Sequence, residues 1–502
     1  MTLGMFMALL DIQIVAASLQ NIGGGLSAGQ DEIGWVQTAY LIAEIIVIPL
    51  SGWLTRVFST RWLFTGSALG FTLASLLCGL AWNIESMIVF RALQGLLGAS
   101  MIPAVFTSTF HFFPGKRQPL AAAVIATMSA VAPALGPVIG GWITDTLSWR
   151  WLFYINLLPG LLVTLGVATL VDVDQPEHGL LRQADWPGIG LLAAFLGPLE
   201  YVLEEGSRWN WFDDAGICRA SAVAVVAGLL FTWRSLVHSQ PVVDLRALRN
   251  RNFLLGCILS FITGLGMFST IYLIPLYLGY VRDLSALQTG KIVWATGLGV
   301  FLGVPVYMAL VRRADPRLLM TVGMAAFALS MLGFSRITSD WGADQFFWPQ
   351  VMRGFPQVFA VAPAVTLGLG SLPPARLKFA SGLFNMMRNL GGAFGIAICG
   401  AILNDRTNFH FERIAETLSS ANLALQPTLS GLAGTVLATT ADGPAAQLAA
   451  VARVRTLVYK EAATLAYADA FLVIMLACAS AAVLVPLLRR VGPRPADPGS
   501  GH

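Results

Sequence analysis

The chain has 502 residues, of which 56% are hydrophobic and 12% are charged, and its formal net charge is +4. Soluble globular proteins carry roughly 25% charged residues, so this composition excludes an ordinary soluble domain. The small positive balance does not indicate nucleic-acid binding, because no RNA- or DNA-reading motif accompanies it. The five histidines show no metal-ligand spacing, so we predict no metal site.

Long apolar stretches separated by short polar turns follow one another along the chain. A helix needs about 20 mainly apolar residues to cross a bilayer. Hydropathy and turn signals therefore predict an all-α, polytopic membrane protein with about fourteen transmembrane helices. The predicted spans are 3–20, 33–53, 62–82, 86–109, 119–144, 151–171, 186–205, 215–234, 253–279, 286–311, 318–337, 346–371, 379–403 and 466–488.

The first predicted span begins almost at the first residue. It has no small-residue cleavage site, so we predict no cleaved signal peptide. Either the first helix starts at the membrane surface or the true start lies upstream of Met1. We favour the second interpretation.

Basic residues concentrate in alternate turns between the predicted spans. One set of turns holds Arg56, Arg61, Lys116, Arg117, Arg182, Arg234, Arg246, Arg249, Arg251, Arg312, Arg313, Arg317, Arg376, Lys378, Arg489, Arg490 and Arg494. The short opposite turns hold Arg150, Arg208, Arg282, Arg336 and little else. Because cytoplasmic turns are enriched in Arg and Lys, we expect both termini to be cytoplasmic.

The second part of the chain resembles the first. At a constant offset, the matching residues are Pro49, Arg56 and Arg61 with Pro305, Arg312 and Arg317. Both copies would have the same membrane orientation, which predicts two six-helix parallel-repeat halves around a central substrate path. We expect an N-terminal half over 1–181 and a C-terminal half over 251–502. Residues 182–250 would add two inserted transmembrane helices and a cytoplasmic linker.

Two acidic residues lie deep within predicted spans. Asp11 is about ten residues into the first span, and Glu44 is about eleven residues into the second, which enters from the opposite face. Both carboxyls should therefore lie near the bilayer midplane on neighbouring helices. Ionisable groups at this depth are functional candidates, and reversible protonation would suit them. The alternative is a neutral, hydrogen-bonded structural carboxyl.

Buried arginines accompany these acids. Arg91 lies less deep on the fourth span, where it could hold a nearby carboxylate and release it when helices shift, or simply bind a backbone carbonyl. Arg353 (its repeat mate) and Arg388 are further buried cations. The deep acids all lie in the first half, and Val300 aligns with Glu44. We therefore expect the first half to handle protons and the second to bind substrate through Arg353 and Arg388.

The fifth span combines small residues with prolines. Gly136 and Gly140 belong to a small-residue repeat that lets helices approach closely, and the run ends at Gly141. Pro133 and Pro137 remove backbone donors and favour a kink. The pattern predicts a close-packed, bendable gate between the halves, although it also occurs where only packing is needed.

Four segments resemble motifs of major facilitator drug:proton antiporters. Residues 134–141 (Ala-Leu-Gly-Pro-Val-Ile-Gly-Gly) resemble the helix-five antiporter motif, and residues 91–95 (Arg-Ala-Leu-Gln-Gly) are similar to the helix-four motif, whose arginine is implicated in proton transfer. Residues 10–15 resemble the helix-one motif of the fourteen-helix branch, with Gln13 where Thr is usual. Residues 52–61 match the loop motif poorly. Its customary aspartate is absent, which puts the usual gating salt bridge in doubt.

The resemblance covers essentially the whole chain and is closest to EmrB/QacA-type permeases, particularly the EmrB side. It implies proton-coupled efflux of lipophilic drugs or toxic compounds across the bacterial inner membrane by alternating access. No cofactor would be needed beyond the proton gradient. A periplasmic adaptor (a membrane fusion protein) and a TolC-like outer-membrane channel are the implied partners. The long periplasmic loop 404–465, with a helix over Gln447–Arg453 near the membrane surface, could dock the adaptor or form a solvated cap.

We place Gln94 with the substrate path. Two other functions are consistent with the same residues. A metabolite importer or uniporter would share the fold, because fold does not fix function. A non-transporting membrane sensor or assembly subunit is the other alternative. We find no nucleophile–base set, phosphate loop or metal cluster, so we do not expect an enzyme.

Overall fold

The computed structural model describes residues 1–113, 118–172, 174–182, 184–238, 241–373, 376–417 and 443–489. These residues are almost entirely helical and include no β-strand, which confirms the predicted all-α class. The helices are α1 (Thr2–Ala17), α2 (Leu19–Leu26), α3 (Gln30–Ile33), α4 (Trp35–Gly79), α5 (Ile84–Gly98), α6 (Met101–Phe112), α7 (Gln118–Thr146), α8 (Trp151–Tyr154), α9 (Leu157–Leu170), α10 (Trp186–Glu205), α11 (Ala215–Val237), α12 (Arg251–Tyr280), α13 (Ala286–Val293), α14 (Ala295–Leu310), α15 (Pro316–Phe334), α16 (Ala343–Gly354), α17 (Gln357–Leu369), α18 (Leu377–Thr417) and α19 (Gly443–Leu484).

The described part contains eleven helices that are long and apolar enough to cross a membrane, or twelve if the bent pair α1 and α2 is one span. The predicted number of fourteen is therefore not confirmed. Helix α4 explains part of the difference. Its 45 residues would extend about 68 Å, more than twice the hydrocarbon thickness of a bilayer. The helix is interrupted at Ser59, whose φ of 66° and ψ of 159° are not helical, between two predicted spans.

The last two long helices extend beyond the boundaries predicted for the corresponding spans. Helix α18 continues to Thr417, and α19 begins at Gly443, so both ends of the predicted loop 404–465 are helical. The predicted helix over Gln447–Arg453 is part of α19 rather than a separate helix. Each helix is about 60 Å long, so it extends well beyond a bilayer. Residues 418–442 of the predicted loop lie outside the described residues.

The two long helices are joined by charged side chains. Arg406 on α18 donates to Asp469 on α19 at 2.6 Å, and the His410 ring lies 2.9 Å from the same carboxylate. The parts of α18 and α19 that lie outside the apolar windows are thus helices joined by polar contacts, and hydropathy windows alone do not detect them.

Helices α4, α7, α10 and α18 connect the parts of the molecule. Within the predicted N-terminal half, α1 packs on α7 and α4 packs on α5; within the predicted C-terminal half, α12 packs on α18 and α15 on α19. These two sets of helices meet where α4 contacts α18 and where α7 contacts α13, α14 and α17. Helix α10, from the predicted insertion, packs on α11, on α4 and on α18. It therefore borders both sets.

The backbones of α12 and α18 approach each other closely. A Cβ atom added at Gly264 would collide with the backbone oxygen of Arg388, and one added at Gly391 would collide with that of Phe261. Glycines at these positions let the two helices pack backbone against backbone, as small residues do in membrane helix pairs.

We predict that Gly264→Ala lowers the free energy of unfolding by about 1–3 kcal/mol, because overpacking forces the helices apart. Gly279→Ala is the matched control on the same helix, since nothing lies within 4 Å of the added Cβ. Thermal unfolding of the purified variants in detergent measures the difference. Equal unfolding temperatures for the two variants would contradict this packing argument.

Candidate functional site

A buried polar network surrounds Asp11 in the first half. Its Oδ2 accepts a hydrogen bond from Arg91 Nη1 at 2.7 Å. Its Oδ1 accepts from Asn156 Nδ2 at 2.7 Å and from Gln94 Nε2 at 3.2 Å. The Ser75 hydroxyl accepts from both amides. Asp11, Arg91 and Gln94 are 0% exposed, so the network has no contact with solvent.

The Arg91 guanidinium makes both kinds of contact expected from its sequence position. Besides Asp11, it binds a backbone carbonyl, because Nε donates to Val36 O at 3.1 Å. Its Nη1 also donates to Gln94 Oε1 at 2.7 Å, and its Cζ atom lies 4.3 Å from the centre of the Tyr40 ring. Within the described residues, Nη2 has no partner. The long side chain thus brings the charge to Asp11 although its backbone lies less deep.

Glu44 lies beside this network but makes no hydrogen bond within the described part of the chain. It is 3% exposed and lies one helical turn after Tyr40 on α4. The charges that act on it are those of Arg388, Arg91 and Asp11. The buried Tyr40 hydroxyl also lacks a partner among the described residues. Of the two deep carboxyls predicted from the sequence, Asp11 accepts three hydrogen bonds and Glu44 accepts none from the described residues.

The second half contains a matching arginine without a matching acid. Arg353 Nη1 donates to Thr270 Oγ1 at 2.8 Å, and Nη2 donates to Thr296 Oγ1 at 2.7 Å. Arg353 is 2% exposed and forms no ion pair within the described ranges. Thr270 on α12 thus meets Arg353 much as Asp11 on α1 meets Arg91. Two hydroxyls leave the positive charge of Arg353 uncompensated.

Arg353 and the two prolines of the fifth predicted span line the same cavity. Its lining residues are Pro133, Pro137, Met267, Thr270, Ile271, Ile274, Pro275, Val293, Thr296, Arg353 and Gln357. The lining is mainly apolar, with one guanidinium and a few hydroxyl and amide groups. Such a composition suits a small amphipathic ligand. Gln94 and Arg388 do not line this cavity: Gln94 belongs to the Asp11 network, and Arg388 lies 5.4 Å from the Phe106 ring centre.

Helix α7 is packed between the two halves. An added Cβ at Gly136 would collide with Gln13 on α1, and one at Gly140 would lie 3.0 Å from Ile14 O. On the other side, a Cβ at Gly290 of α13 would lie 2.8 Å from the Val138 Cα on α7.

The motif prolines and the final glycine lie within the same continuous helix. Both Pro133 and Pro137 are interior residues of α7, which runs unbroken from Gln118 to Thr146. The Gly141 carbonyl accepts a hydrogen bond from Thr144 Oγ1 at 3.1 Å. The helix that lines the cavity therefore also touches the helix that carries Asp11.

The loop motif at residues 52–61 lacks its usual aspartate, but its Arg56 pairs with the carboxylate of Glu177. Arg56 Nη2 lies 3.1 Å from Glu177 Oε2, and the Arg56 guanidinium lies 5.5 Å from the centre of the Phe379 ring on α18. The backbone N–H of Thr60 donates to Asp174 at 2.8 Å. Because Glu177 is 57% exposed, this pair contributes about 0–1 kcal/mol at most. A later segment thus supplies the acid that the motif lacks.

The structure also buries acids that the sequence analysis overlooked. Glu200 and Glu205 on α10 are each 4% exposed, so the expectation that deep acids are confined to the first half is wrong. These residues lie in the last turns of a predicted span, where acidic residues usually mark its end. Asn156 and Ser75 were missed for another reason, since uncharged polar residues are common in membrane helices.

Comparisons with known proteins identify the family of the chain. The family model of the Major Facilitator Superfamily matches residues 1–396. The chain is 40% identical over 424 residues to the colistin resistance protein EmrB of Acinetobacter baumannii, covering 84% of this chain and 82% of the relative. It is 30% identical to the multidrug export protein EmrB of Escherichia coli K12, covering 86% and 85%. The fatty acid resistance protein FarB of Neisseria gonorrhoeae is also 30% identical, with the same coverage.

Solved structures share the fold at much lower identity. The human organic anion transporter MFSD10 (TETRAN) superposes with a TM-score of 0.57 at 14% identity, covering 95% of this chain and 97% of that one. The proton:xylose symporter XylE gives 0.56 at 12% identity, covering 95% and 93%. The chain belongs to the major facilitator superfamily, and its curated relatives place it in the EmrB-like branch. It is a multi-pass membrane transporter and not an enzyme.

We predict that Asp11→Asn lowers the free energy of unfolding by about 3–5 kcal/mol, because it leaves the buried Arg91 charge without its carboxylate. Adding Arg91→Gln should recover part of that loss, since no unpaired charge then remains. A double-mutant cycle on thermal unfolding in detergent measures the coupling. If the double variant is less stable than Asp11→Asn by the full cost of a second independent change, the two residues do not form a charged pair.

Proposed function

We propose that the protein exports lipophilic drugs or toxic compounds across the bacterial inner membrane in exchange for protons. Relatives at 30–40% identity are named for multidrug export and for resistance to colistin or fatty acids, which supports efflux. The observation that carries proton coupling is the fully buried Asp11–Arg91 pair. It is a membrane-embedded carboxyl with a permanent counter-charge, whereas the matching arginine of the second half meets only hydroxyls.

The pair offers a simple route from protonation to movement. In the arrangement seen here, Arg91 stabilises the ionised Asp11 carboxylate. Adding a proton to Asp11 would remove the attraction between the two side chains and weaken the contacts that hold α1. Because α1 packs closely against Gly136 and Gly140 of α7, a shift of α1 would reach the helix that lines the cavity. Proton and substrate could then compete through alternating access without touching each other.

We assign the second half to substrate binding. Arg353 lines the cavity, which supports its predicted placement on the substrate path. Arg388 does not line the cavity; its guanidinium lies 5.4 Å from the centre of the Phe106 ring on α6, and its role in substrate binding stays a prediction. Gln94, predicted for the same path, bonds to Asp11 and Arg91, so we assign it to the proton-binding network instead. Pro133, Gly136, Pro137, Gly140 and Gly141 would form the gate on α7.

We also propose that a periplasmic adaptor, connected to a TolC-like outer-membrane channel, binds the projecting ends of α18 and α19. With both termini in the cytoplasm, these ends face the periplasm. Leu448 and Val451 on α19 are 73% and 55% exposed, and neighbouring exposed apolar residues are typical of a protein contact surface. This proposal favours adaptor docking over a solvated cap.

The proton-coupling proposal is tested by drug-evoked proton movement in inside-out vesicles at matched expression. A panel that includes ethidium and chloramphenicol should dissipate the pH gradient with the wild-type protein. Asp11→Asn and Glu44→Gln should abolish the signal, because neither variant can carry the transported proton at that position. Glu85→Gln is the matched control, since Glu85 is exposed at the start of α5.

The outcomes separate the alternatives. If both deep variants match the wild type, the protons bind elsewhere. If the wild type gives no signal with any compound, antiport is wrong. Accumulation of the compounds on overexpression would then favour an importer or uniporter, whereas unchanged flux in a deletion strain would favour a sensor or assembly subunit.

The adaptor proposal predicts that Leu448→Glu together with Val451→Glu greatly reduces co-purification of a co-expressed periplasmic adaptor, because charges replace apolar contacts. Thermal unfolding of the variant should stay unchanged, since both side chains are exposed. Unaltered co-purification from a correctly folded variant would mean that these helices form a cap without this partner.

A further inference from the structure

Three glutamates lie together at the end of the inserted helix α10. Glu200 and Glu204 are four residues apart, so they lie on one face of the helix about 6 Å from each other, and Glu205 follows directly. The helix packs on α4 of the first half and on α18 of the second. The acids are thus located at the border between the halves, although they belong to neither repeat.

Two of these carboxyls have unsatisfied oxygens. Glu200 is 4% exposed, and its Oε2 has no hydrogen-bond partner within the described part of the chain; the same holds for Glu204 Oε2. No Lys, Arg or His among the described residues forms an ion pair with either one. An ionised carboxylate without a partner is very costly in a membrane. These two side chains therefore suit the neutral form, in which each carries a proton.

The outer end of the cluster reaches a polar surface. Glu205 Oε2 lies 3.4 Å from Arg208 Nη1, whose side chain is 29% exposed. Glu205 Oε1 accepts a hydrogen bond from Thr38 Oγ1 at 3.2 Å, which fixes α10 against the start of α4. Of the three carboxyls, Glu205 is thus the one bound to a side chain that reaches the surface.

The inner end of the cluster lies against the part of α4 that carries Glu44. A Cβ added at Gly197, one helical turn before Glu200, would lie 3.4 Å from Ile46 Cδ1 and 3.6 Å from Ile42 Cγ2, so this face of α10 packs on both sides of Glu44. Glu204 and Glu44 also act electrostatically on Glu200. Glu44 in turn is acted on by Arg388, Arg91 and Asp11.

The hydroxyl of Tyr40 is a further buried polar group beside Glu44. The Tyr40 hydroxyl is fully buried and unpaired within the described residues, and it lies within electrostatic reach of both Glu44 and Asp11. A free hydroxyl can accept a proton on one side and donate its own on the other. Tyr40 is one helical turn before Glu44, and its ring borders the Arg91 guanidinium that binds Asp11.

We propose that the inserted helix α10 supplies a proton-entry path, in which Glu205, Glu204 and Glu200 pass protons from the surface at Arg208 to Glu44. This inference rests on the proposed antiport. At each step the unpaired oxygen of a neutral carboxyl accepts a proton while that carboxyl's own O–H bond breaks and its proton passes to the next group, so one O–H bond forms for each one broken until a proton reaches Glu44. With the predicted orientation, the Arg208 surface faces the periplasm, from which antiported protons enter. The inserted pair is then part of the coupling machinery.

The experiment uses Glu200→Gln in the full-length protein, because Gln keeps the shape of the side chain but cannot pass on a carboxyl proton. Glu85→Gln is the matched control. Two quantities are measured in vesicles: drug-evoked proton movement, and exchange of labelled ethidium and chloramphenicol across the membrane without a pH gradient. We expect Glu200→Gln to keep the exchange of the transported compound and to lose proton movement. Glu200→Asp should restore part of it.

The outcomes are distinct. No proton movement by the wild type would overturn the antiport proposal itself. Normal proton movement by Glu200→Gln beside an active wild type would overturn only the entry path. Selective loss of ethidium exchange, with proton movement on chloramphenicol intact, would show that Glu200 binds a cationic substrate group, and this also overturns the path. If Glu200→Gln unfolds at a lower temperature than Glu85→Gln, Glu204→Gln with the same readouts decides the question.

Discussion

A guanidinium keeps its charge under all ordinary conditions, so an arginine placed within a bilayer must be surrounded by acceptors. Arg91 meets this requirement by collecting groups from several helices. The Asp11 carboxylate comes from α1, the Val36 carbonyl from α4, and the Gln94 amide from α5. Asn156, at the start of α9, binds the other oxygen of Asp11. The need to satisfy one charge thus sets the relative positions of four helices in the first half.

Arg353 meets the same requirement differently. The hydroxyls of Thr270 and Thr296 hold it, and no carboxylate of the described residues pairs with its charge. The Arg91 site is closed and already neutral as a pair. The Arg353 site borders a cavity and retains a positive charge. Under the proposed function, the Arg91 site would exchange a proton and the Arg353 site would attract a ligand.

The sequence was sufficient for the parts of the molecule that depend on single strong signals. Charges stand out in apolar stretches, so Asp11, Glu44 and Arg91 could be identified as a group before the fold was known. Other features depend on neighbours in space. Glu177 replaces an acid missing from a motif more than a hundred residues earlier, and Asn156 binds Asp11 across a similar separation. Glu200 was overlooked because acids near the end of a span resemble a boundary until packing shows them to be buried.

The lengths of α18 and α19 have a mechanical consequence. The two helices are fixed to each other by the contacts of Arg406 and His410 with Asp469, and together they extend far past the thickness of a bilayer. If the pair tilts as one body within the membrane, a small change of angle there would displace the distal ends by a larger distance, because displacement grows with distance along the helix. A protein bound to those ends would then be moved during transport, and could in turn restrict the tilt.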